Sequence, residues 1–315
     1  MIVVTGGAGF IGSNVVRELN SRGHDDVVVV DDMTDGRKFV NLVGCDIADY
    51  FDKDDFLGRL KSRALGKIDA IFHQGACAVT TEWNGRYVLE TNYRYSVELL
   101  DHCLANAVPL IYASSAAVYG ASTTFKENDA GAERPLNVYG YSKLLFDQHV
   151  RRRWAEARAP IVGLRYFNVY GFGEAHKGSM ASVALHLHGQ VAATGEARLF
   201  EGSGGYAAGD QRRDFVYIGD VAAVNLWFYE QRRMSGVFNV GTGASATFND
   251  VANAVIAWHG KGTIRYIPFP AELESRYQSF TEADIGALRA AGYIAPFRDV
   301  RAGVKAYLDA LGRHA

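Results

Sequence analysis

A few side chains in the middle of the chain have the types and spacing to move a proton. Tyr139 and Lys143, in "NVYGYSK", are four residues apart and share one face of a helix. Tyr141 lies two residues from the lysine, points elsewhere and is assigned to packing. An ammonium beside a phenol favours the phenolate, so Lys143 is expected to draw the Tyr139 pKa below its unperturbed ~10. That would make Tyr139 a general acid/base near neutral pH. Ser115, in "YASSAAVYG" at the end of a predicted strand, offers a short hydroxyl to hold a substrate oxygen beside Tyr139. Its neighbour Ser114 is assigned to a strand-end turn. A second lysine, Lys177 in "HKGSM", is open on the residues alone to three readings: a solvated charge, a grip on a phosphate, or a second acid/base.

The N-terminus supplies a place for a dinucleotide cofactor. "TGGAGFIG" puts Gly6, Gly9 and Gly12 directly after a predicted strand and at the opening of a helix. Such glycines allow a tight turn and close backbone approach, so that the helix N-terminus faces a pyrophosphate. Asp31 ends the next predicted strand, about twenty residues on, where a carboxylate meets the adenosine ribose. Asp31 alone favours NAD, because it would repel the 2′-phosphate of NADP. Arg37 and Lys38 follow in the next loop, where they could pair with that phosphate, and they tip the reading toward NADP.

The elements that must position these residues alternate. β-Branched runs at Ile2–Thr5, Val27–Asp31, Ala70–His73, Leu110–Ser114 and Ile161–Tyr166 are separated by one-sided helical patterns such as "FIGSNVVRELNSRG" and "NYRYSVELLDHCLANA". This alternation predicts an α/β chain with a Rossmann-type, doubly wound parallel sheet. A dinucleotide-binding domain is expected over 1–167. A smaller α/β substrate lobe over 168–315 carries "ASVALHLHGQVAA", "DVAAVNLWFYEQ" and "NDVANAVIAWHG", with some exchange of segments between the two. It is expected to lie over the sheet's C-terminal edge, where open α/β sheets bind ligands. With 315 residues the chain can bury a large core, and its formal charge of −2 gives no basic stripe for nucleic acid. Cys45, Cys77 and Cys103 suit neither a disulfide framework nor a metal site, and no apolar run is long enough to span a bilayer. A cytoplasmic enzyme with no metal, no nucleic-acid partner and no membrane attachment is expected.

"TGGAGFIG", "SSAAVYG", Tyr139-x-x-x-Lys143 and "RDFVYIGDVA" together resemble the extended short-chain dehydrogenase/reductase superfamily over the whole chain. More narrowly, "TTEWN", "KFVNLV", "YFNVYG" with "HKGSMAS", "LFEGS" and "RYQSFT" resemble its ADP-L-glycero-D-manno-heptose 6-epimerase family. The resemblance implies inversion of C6 of an ADP-linked heptose in lipopolysaccharide inner-core synthesis, with a tightly held NADP that is not consumed. It implies cofactor contacts at Phe10, Ile11, Asp31, Asp32, Lys38, Lys53, the loop Gln74, Gly75, Ala76, Cys77 and Ala78, and Asn92, Tyr139, Lys143, Val169 and Lys177. For the sugar nucleotide it implies Asn168, Ser179, His186, Phe200, Glu201, Gly202, Ser203, Arg213 and Tyr277. It makes Lys177 the second acid/base and a cyclic homopentamer the expected assembly. Arg213 has support of its own, since a guanidinium ahead of a strand suits a diphosphate. His186 lies on a helical pattern where packing is the alternative.

The sequence departs from the family at Gln74 and Ala78, where a glutamate and a serine are expected, and at a longer "GGYAAGDQ" segment after Ser203. A nucleotide-sugar 4,6-dehydratase needs an Asp-Glu pair where this chain has Ala116 and Ala117, which counts against elimination. A UDP-sugar C4 epimerase could use the same Ser115, Tyr139 and Lys143. A dinucleotide sensor without turnover would have no need for them.

Overall fold

The computed structural model describes residues 1–231, 233–270 and 278–314. Its contacts divide the chain into two compact units. The first comprises Met1–Gly120, Glu133–Tyr166 and Val221–Phe238, and the second Ala121–Ala132, Phe167–Asp220 and Asn239–Ala315. The exchanged segments are therefore 121–132 and 221–238.

A seven-stranded sheet is built from β1 (Ile2–Thr5), β2 (Val27–Asp31), β3 (Asp49–Asp52), β4 (Ala70–His73), β5 (Leu110–Ser115), β6 (Ile161–Tyr166) and β7 (Gly236–Val240). Across the sheet the order is β7-β6-β5-β4-β1-β2-β3, and every pairing from β3 to β6 is parallel. The order reverses between β1 and β4, so the loops leaving these two strands diverge and open a crevice at their C-terminal ends. Five strands coincide with the β-branched runs, because strands covered on both faces read as continuous apolar sequence. The sequence reading lacks β3, whose "DYFD" is an exposed edge strand, and β7.

The helices of the sheet unit are α1 (Phe10–Ser21), α2 (Lys53–Ser62), α3 (Tyr95–Asn106) and α4 (Val138–Arg153). The approach to α3 is already helical from Gly85 and carries one π-turn at Glu90–Arg94. Val3, Val28, Ile71, Leu99, Leu110 and Phe146 belong to a core between sheet and helices. In the second unit α5 (Val183–Thr194), α7 (Phe248–His259) and α8 (Val300–His314) pack around Leu187, Val251, Val304 and Leu308. Between them in sequence runs α6 (Ile218–Gln231). Sequence assigned this helix to the second lobe, whereas from Val221 onward it groups with the sheet unit. Among the described residues no helix is long and apolar enough to cross a membrane, and no group of three metal-ligating side chains forms.

Candidate active site

The first crevice wall is the turn between β1 and α1. Gly6 has φ +66°, the left-handed region that favours glycine, and a Cβ there would sit 2.5 Å from the Gly75 nitrogen. A Cβ on Gly12 would sit 2.0 Å from the Gly6 carbonyl oxygen. No side chain caps α1 and no acid stands in its first turn, so the positive end of the helix dipole is left for an anion. This cradle fits the pyrophosphate of a dinucleotide, with Phe10 and Ile11 opening the helix.

Asp31 is buried at the end of β2. Its Oδ2 accepts from the Ala8 backbone N–H at 2.8 Å, and its Oδ1 accepts from the Asp32 N–H and from Lys38 Nζ at 2.5 Å. Lys53 Nζ stands 3.5 Å from Asp32. Thr34 hydrogen bonds, with Lys53 assisting, hold the Asp32 carboxyl down at about 2. Thus Asp31, Asp32, Lys38 and Lys53 form two neighbouring ion pairs beyond the cradle. Arg37 does not join them: it is exposed and pairs with Asp35 at 2.7 Å.

The opposite wall is the loop leaving β4. Asn92, 1% exposed in the π-turn, clamps it in both senses. It accepts from the Cys77 N–H at 2.7 Å, donates to the Cys77 carbonyl at 3.0 Å, and donates to Ser142 Oγ of α4 at 3.0 Å. The Gln74 side chain turns away from the loop. It donates to Asn225 Oδ1 at 3.1 Å and accepts from Tyr166 Oη at 3.0 Å. Asn225 in turn donates to Tyr166 Oη at 2.9 Å. Each of the three side chains donates to the next, so the ring is fully satisfied without a charge. The Gln74–Ala78 loop is thus held at Gln74 and Cys77, with Gly75 against the Gly6 turn.

The residues expected to handle protons lie on β5 and α4. The Tyr139 hydroxyl lies near Ser115, whose own hydroxyl accepts from the Ala117 N–H at 3.1 Å. The lowering expected from Lys143 is not what the structure gives. Burial pushes the Tyr139 phenol up, with the neighbouring Ser115 hydroxyl opposing it, and Lys143 Nζ donates to the Ala113 carbonyl at 2.8 Å. Burial brings Lys143 itself down to about 8, with Asp147 partly offsetting the fall. Tyr141 does point away, but it is 46% exposed and packs no core. Ser114 is no turn residue: its hydroxyl donates at 2.9 Å to Asp147, a wholly buried carboxylate that sequence reasoning passed over. Asp147 also accepts from Tyr112 Oη and Arg165 Nε, each at 2.9 Å. A second missed network joins Thr5, His73, Ser96 and the Asn92 carbonyl. Burial and the nearby Lys143 push His73 down to about 3, so it stays neutral and is no proton carrier at working pH.

The second unit carries the remaining candidates. Lys177 and Ser179 lie in the 3₁₀ segment Ala175–Met180, with Ser179 exposed. Lys177 is part-buried, and burial lowers its pKa while Glu174 opposes. Asn168 and Val169 begin the short strand Asn168–Tyr170, paired with Phe215–Tyr217. Arg213 is buried with its guanidinium over the Phe248 ring. His186 is exposed on α5, so packing does not account for it. Phe200 ends the strand Glu196–Phe200, Glu201 and Gly202 are exposed beyond it, and Ser203 Oγ accepts from Gln211 at 3.2 Å. Tyr277 lies outside the described residues.

Comparison with known proteins agrees with this architecture. Residues 2–241 match the NAD dependent epimerase/dehydratase family. An ADP-L-glycero-D-manno-heptose-6-epimerase of Alkalilimnicola ehrlichii is 55% identical over 312 residues, covering 99% of this chain and 97% of that protein. The crystal structure of the enzyme of that name from Helicobacter pylori superposes with a TM-score of 0.84 at 34% identity, over 99% of this chain and 96% of the other. The Thermus thermophilus UDP-glucose 4-epimerase in complex with NAD gives a TM-score of 0.75 at 27% identity, covering 98% and 97% of the two chains. The chain belongs to the NAD dependent epimerase/dehydratase family, and its kinship with the ADP-L-glycero-D-manno-heptose-6-epimerases extends over 99% of its length.

Proposed function

We propose that the protein inverts C6 of the heptose in ADP-glycero-manno-heptose, through a transient C6 ketone. The observation that carries the chemistry is the Tyr139 hydroxyl beside Ser115, with Lys143 buried one helical turn on. The substrate is inferred from the 55% identical relative. When bound, the nicotinamide dinucleotide supplies the hydride acceptor and donor. Held by the Gly6–Gly12 turn, Asp31, Asp32, Lys38, Lys53, the Gln74–Ala78 loop and Asn92, it is NADP in our reading, with Lys38 and Lys53 taking the 2′-phosphate.

Inversion requires the ketone to turn over before the hydride returns, so its oxygen occupies two positions in one turnover. One side chain reaches only one of them, because proton transfer needs hydrogen-bond contact at ~3 Å. We assign the two oxygens to Tyr139 and Lys177. Burial shifts them in complementary directions: the phenol is pushed up and suits an acid, while the amine is brought down and suits a base. In one direction Lys177 takes the C6 hydroxyl proton and Tyr139 returns one to the turned ketone. The reverse reaction exchanges the roles. Ser115 holds the oxygen beside Tyr139. Arg213 with Phe200–Ser203 binds the ADP portion, and Asn168, Ser179, His186 and Tyr277 contact the rest of the substrate. The same reading carries a role in lipopolysaccharide inner-core precursor synthesis, a cytoplasmic location and a homopentamer.

Tyr139→Phe and Lys177→Met test the assignment. Each variant should keep its nucleotide and bind ADP-heptose while epimerisation falls severely. If Lys177→Met binds substrate or cofactor poorly yet turns over normally at saturation, the lysine is a phosphate clamp. Substrate deuterated at C6 should retain its label, and extensive exchange with solvent would exclude direct C6 oxidation. Turnover of UDP-linked sugars in preference to ADP-heptose would move the assignment to a C4 epimerase.

A further inference from the structure

Glu174 is wholly buried three residues before Lys177. Its Oε1 accepts from the Gly171 N–H at 3.2 Å and from Ser182 Oγ at 2.6 Å, and its Oε2 accepts from the Ser182 N–H at 2.6 Å. Ser182 is itself the N-cap of α5. Three donors from both sides of the segment thus fix the carboxylate and leave it no route to solvent. The 3₁₀ turn then decides what it faces. The Lys177 N–H donates to the Glu174 carbonyl at 2.9 Å, and side chains three apart eclipse in such a turn. Lys177 Nζ accordingly lies 3.9 Å from Glu174 Oε2. Immediately after Lys177, Gly178 has φ +56° and breaks the turn, so the lysine ends the helical run.

We propose that Glu174 is a positioning residue for the reaction, acting through Lys177 as its fixed counter-charge. The proposal rests on the reading of Lys177 as an acid/base. A charge anchored by three protein donors keeps its distance and strength while the lysine changes protonation, which a solvated carboxylate would not. Burial alone would leave the amine neutral too readily to return a proton, and Glu174 opposes that tendency. Titratable groups facing Glu174 include Lys177 on its own turn and Tyr307 on α8. Burial and this same carboxylate push the Tyr307 phenol far above its ordinary range, so it remains protonated throughout the working pH range.

Two measurements on the holoenzyme and its Glu174→Gln variant, taken well below each melting temperature, test the proposal. The first is competitive acetylation of the Lys177 amine against pH, read by mass spectrometry, which follows the amine whatever its role. The second is the pH profile of kcat. Glutamine preserves the shape and an acceptor for Ser182 but removes the charge. The labelling midpoint should fall by about one pH unit, and one limb of the kcat profile should fall with it. An unmoved labelling midpoint overturns the proposal and leaves Glu174 as an anchor for Ser182 only. A moved midpoint with an unmoved kcat profile also overturns it, and places the fault in the acid/base reading of Lys177. Glu174→Asp, which restores the charge, should bring the midpoint back toward wild type. Failure to do so would likewise count against a charge effect.

Discussion

Replacing Lys143 with methionine should abolish a specific rise in stability at alkaline pH. Lys143 is 4% exposed, and burial lowers its pKa from 10.5 to about 8. Below pH 8 the amine is charged in both folded and unfolded chains, and the full desolvation cost is present. Between about 8 and 10.5 the folded chain binds fewer protons than the unfolded one, so stability rises with pH. Over the whole window the recovered free energy is on the order of 3 kcal/mol. Methionine keeps the stem and removes the titration. Its own cost is the Ala113 carbonyl left without its donor, about 1–3 kcal/mol and independent of pH. Urea unfolding of both proteins at several pH values from 7.5 to 10, followed by tryptophan fluorescence, isolates the effect as wild type minus variant. Tyrosines that titrate in the same range contribute equally to both and cancel. The difference should grow in favour of wild type by ~1 kcal/mol or more per pH unit in the middle of the window. A flat difference would refute the claim that Lys143 carries a buried, destabilised charge. Turnover should be lost in the variant at every pH.

Asp147→Asn removes the charge that faces Arg165, and a broken buried pair should cost about 3–5 kcal/mol in urea unfolding. A loss below about 1 kcal/mol would mean that Glu133, which also pairs with Arg165, suffices alone. Gly12→Ala drives a methyl into the Gly6 carbonyl, so the purified variant should carry no nucleotide, as judged by absorbance of the denatured supernatant. Lys38→Met leaves Asp31 without its 2.5 Å partner and, on the proposed reading of the cofactor as NADP, should shift the released nucleotide toward NAD. An unchanged NADP content would remove Lys38 from cofactor choice.

Much of the sheet was legible because its strands are buried on both faces and announce themselves as valine and isoleucine runs. β3 carried no such signal: "DYFD" is an edge strand with little to bury, and its pairing with β2 follows from topology. α6 was legible as a helix but not as part of the sheet unit. Its apolar residues fit either core, and the choice lies in long-range packing such as Tyr229 against Phe72. The glycine turn and the Tyr139–Lys143 spacing were legible for the opposite reason. Each is a local geometry that a few consecutive residues determine.

What sequence could not supply is the electrostatic state of those residues. Four-residue spacing puts Lys143 on the same helix face as Tyr139, and from that alone a lowered phenol follows. The outcome depends instead on how deeply each group is buried and on which partner its polar atoms find. Lys143 spends its ammonium on the Ala113 carbonyl of β5, thirty residues earlier. Its own counter-charge, Asp147, lies one further turn along α4 and is held by Tyr112, Ser114 and Arg165 from two strands. Lys177 repeats the pattern with Glu174, which is fixed by Gly171 and Ser182. In both cases a lysine lowered by burial stands near a buried carboxylate that the protein itself anchors, so its charge is neither stranded nor free to leave. A chain that lowers two amines by burying them is served by such an anchor for each. That is a physical reason for Asp147 and Glu174, each within four residues of its lysine, that emerges only once their burial and their anchoring partners are known.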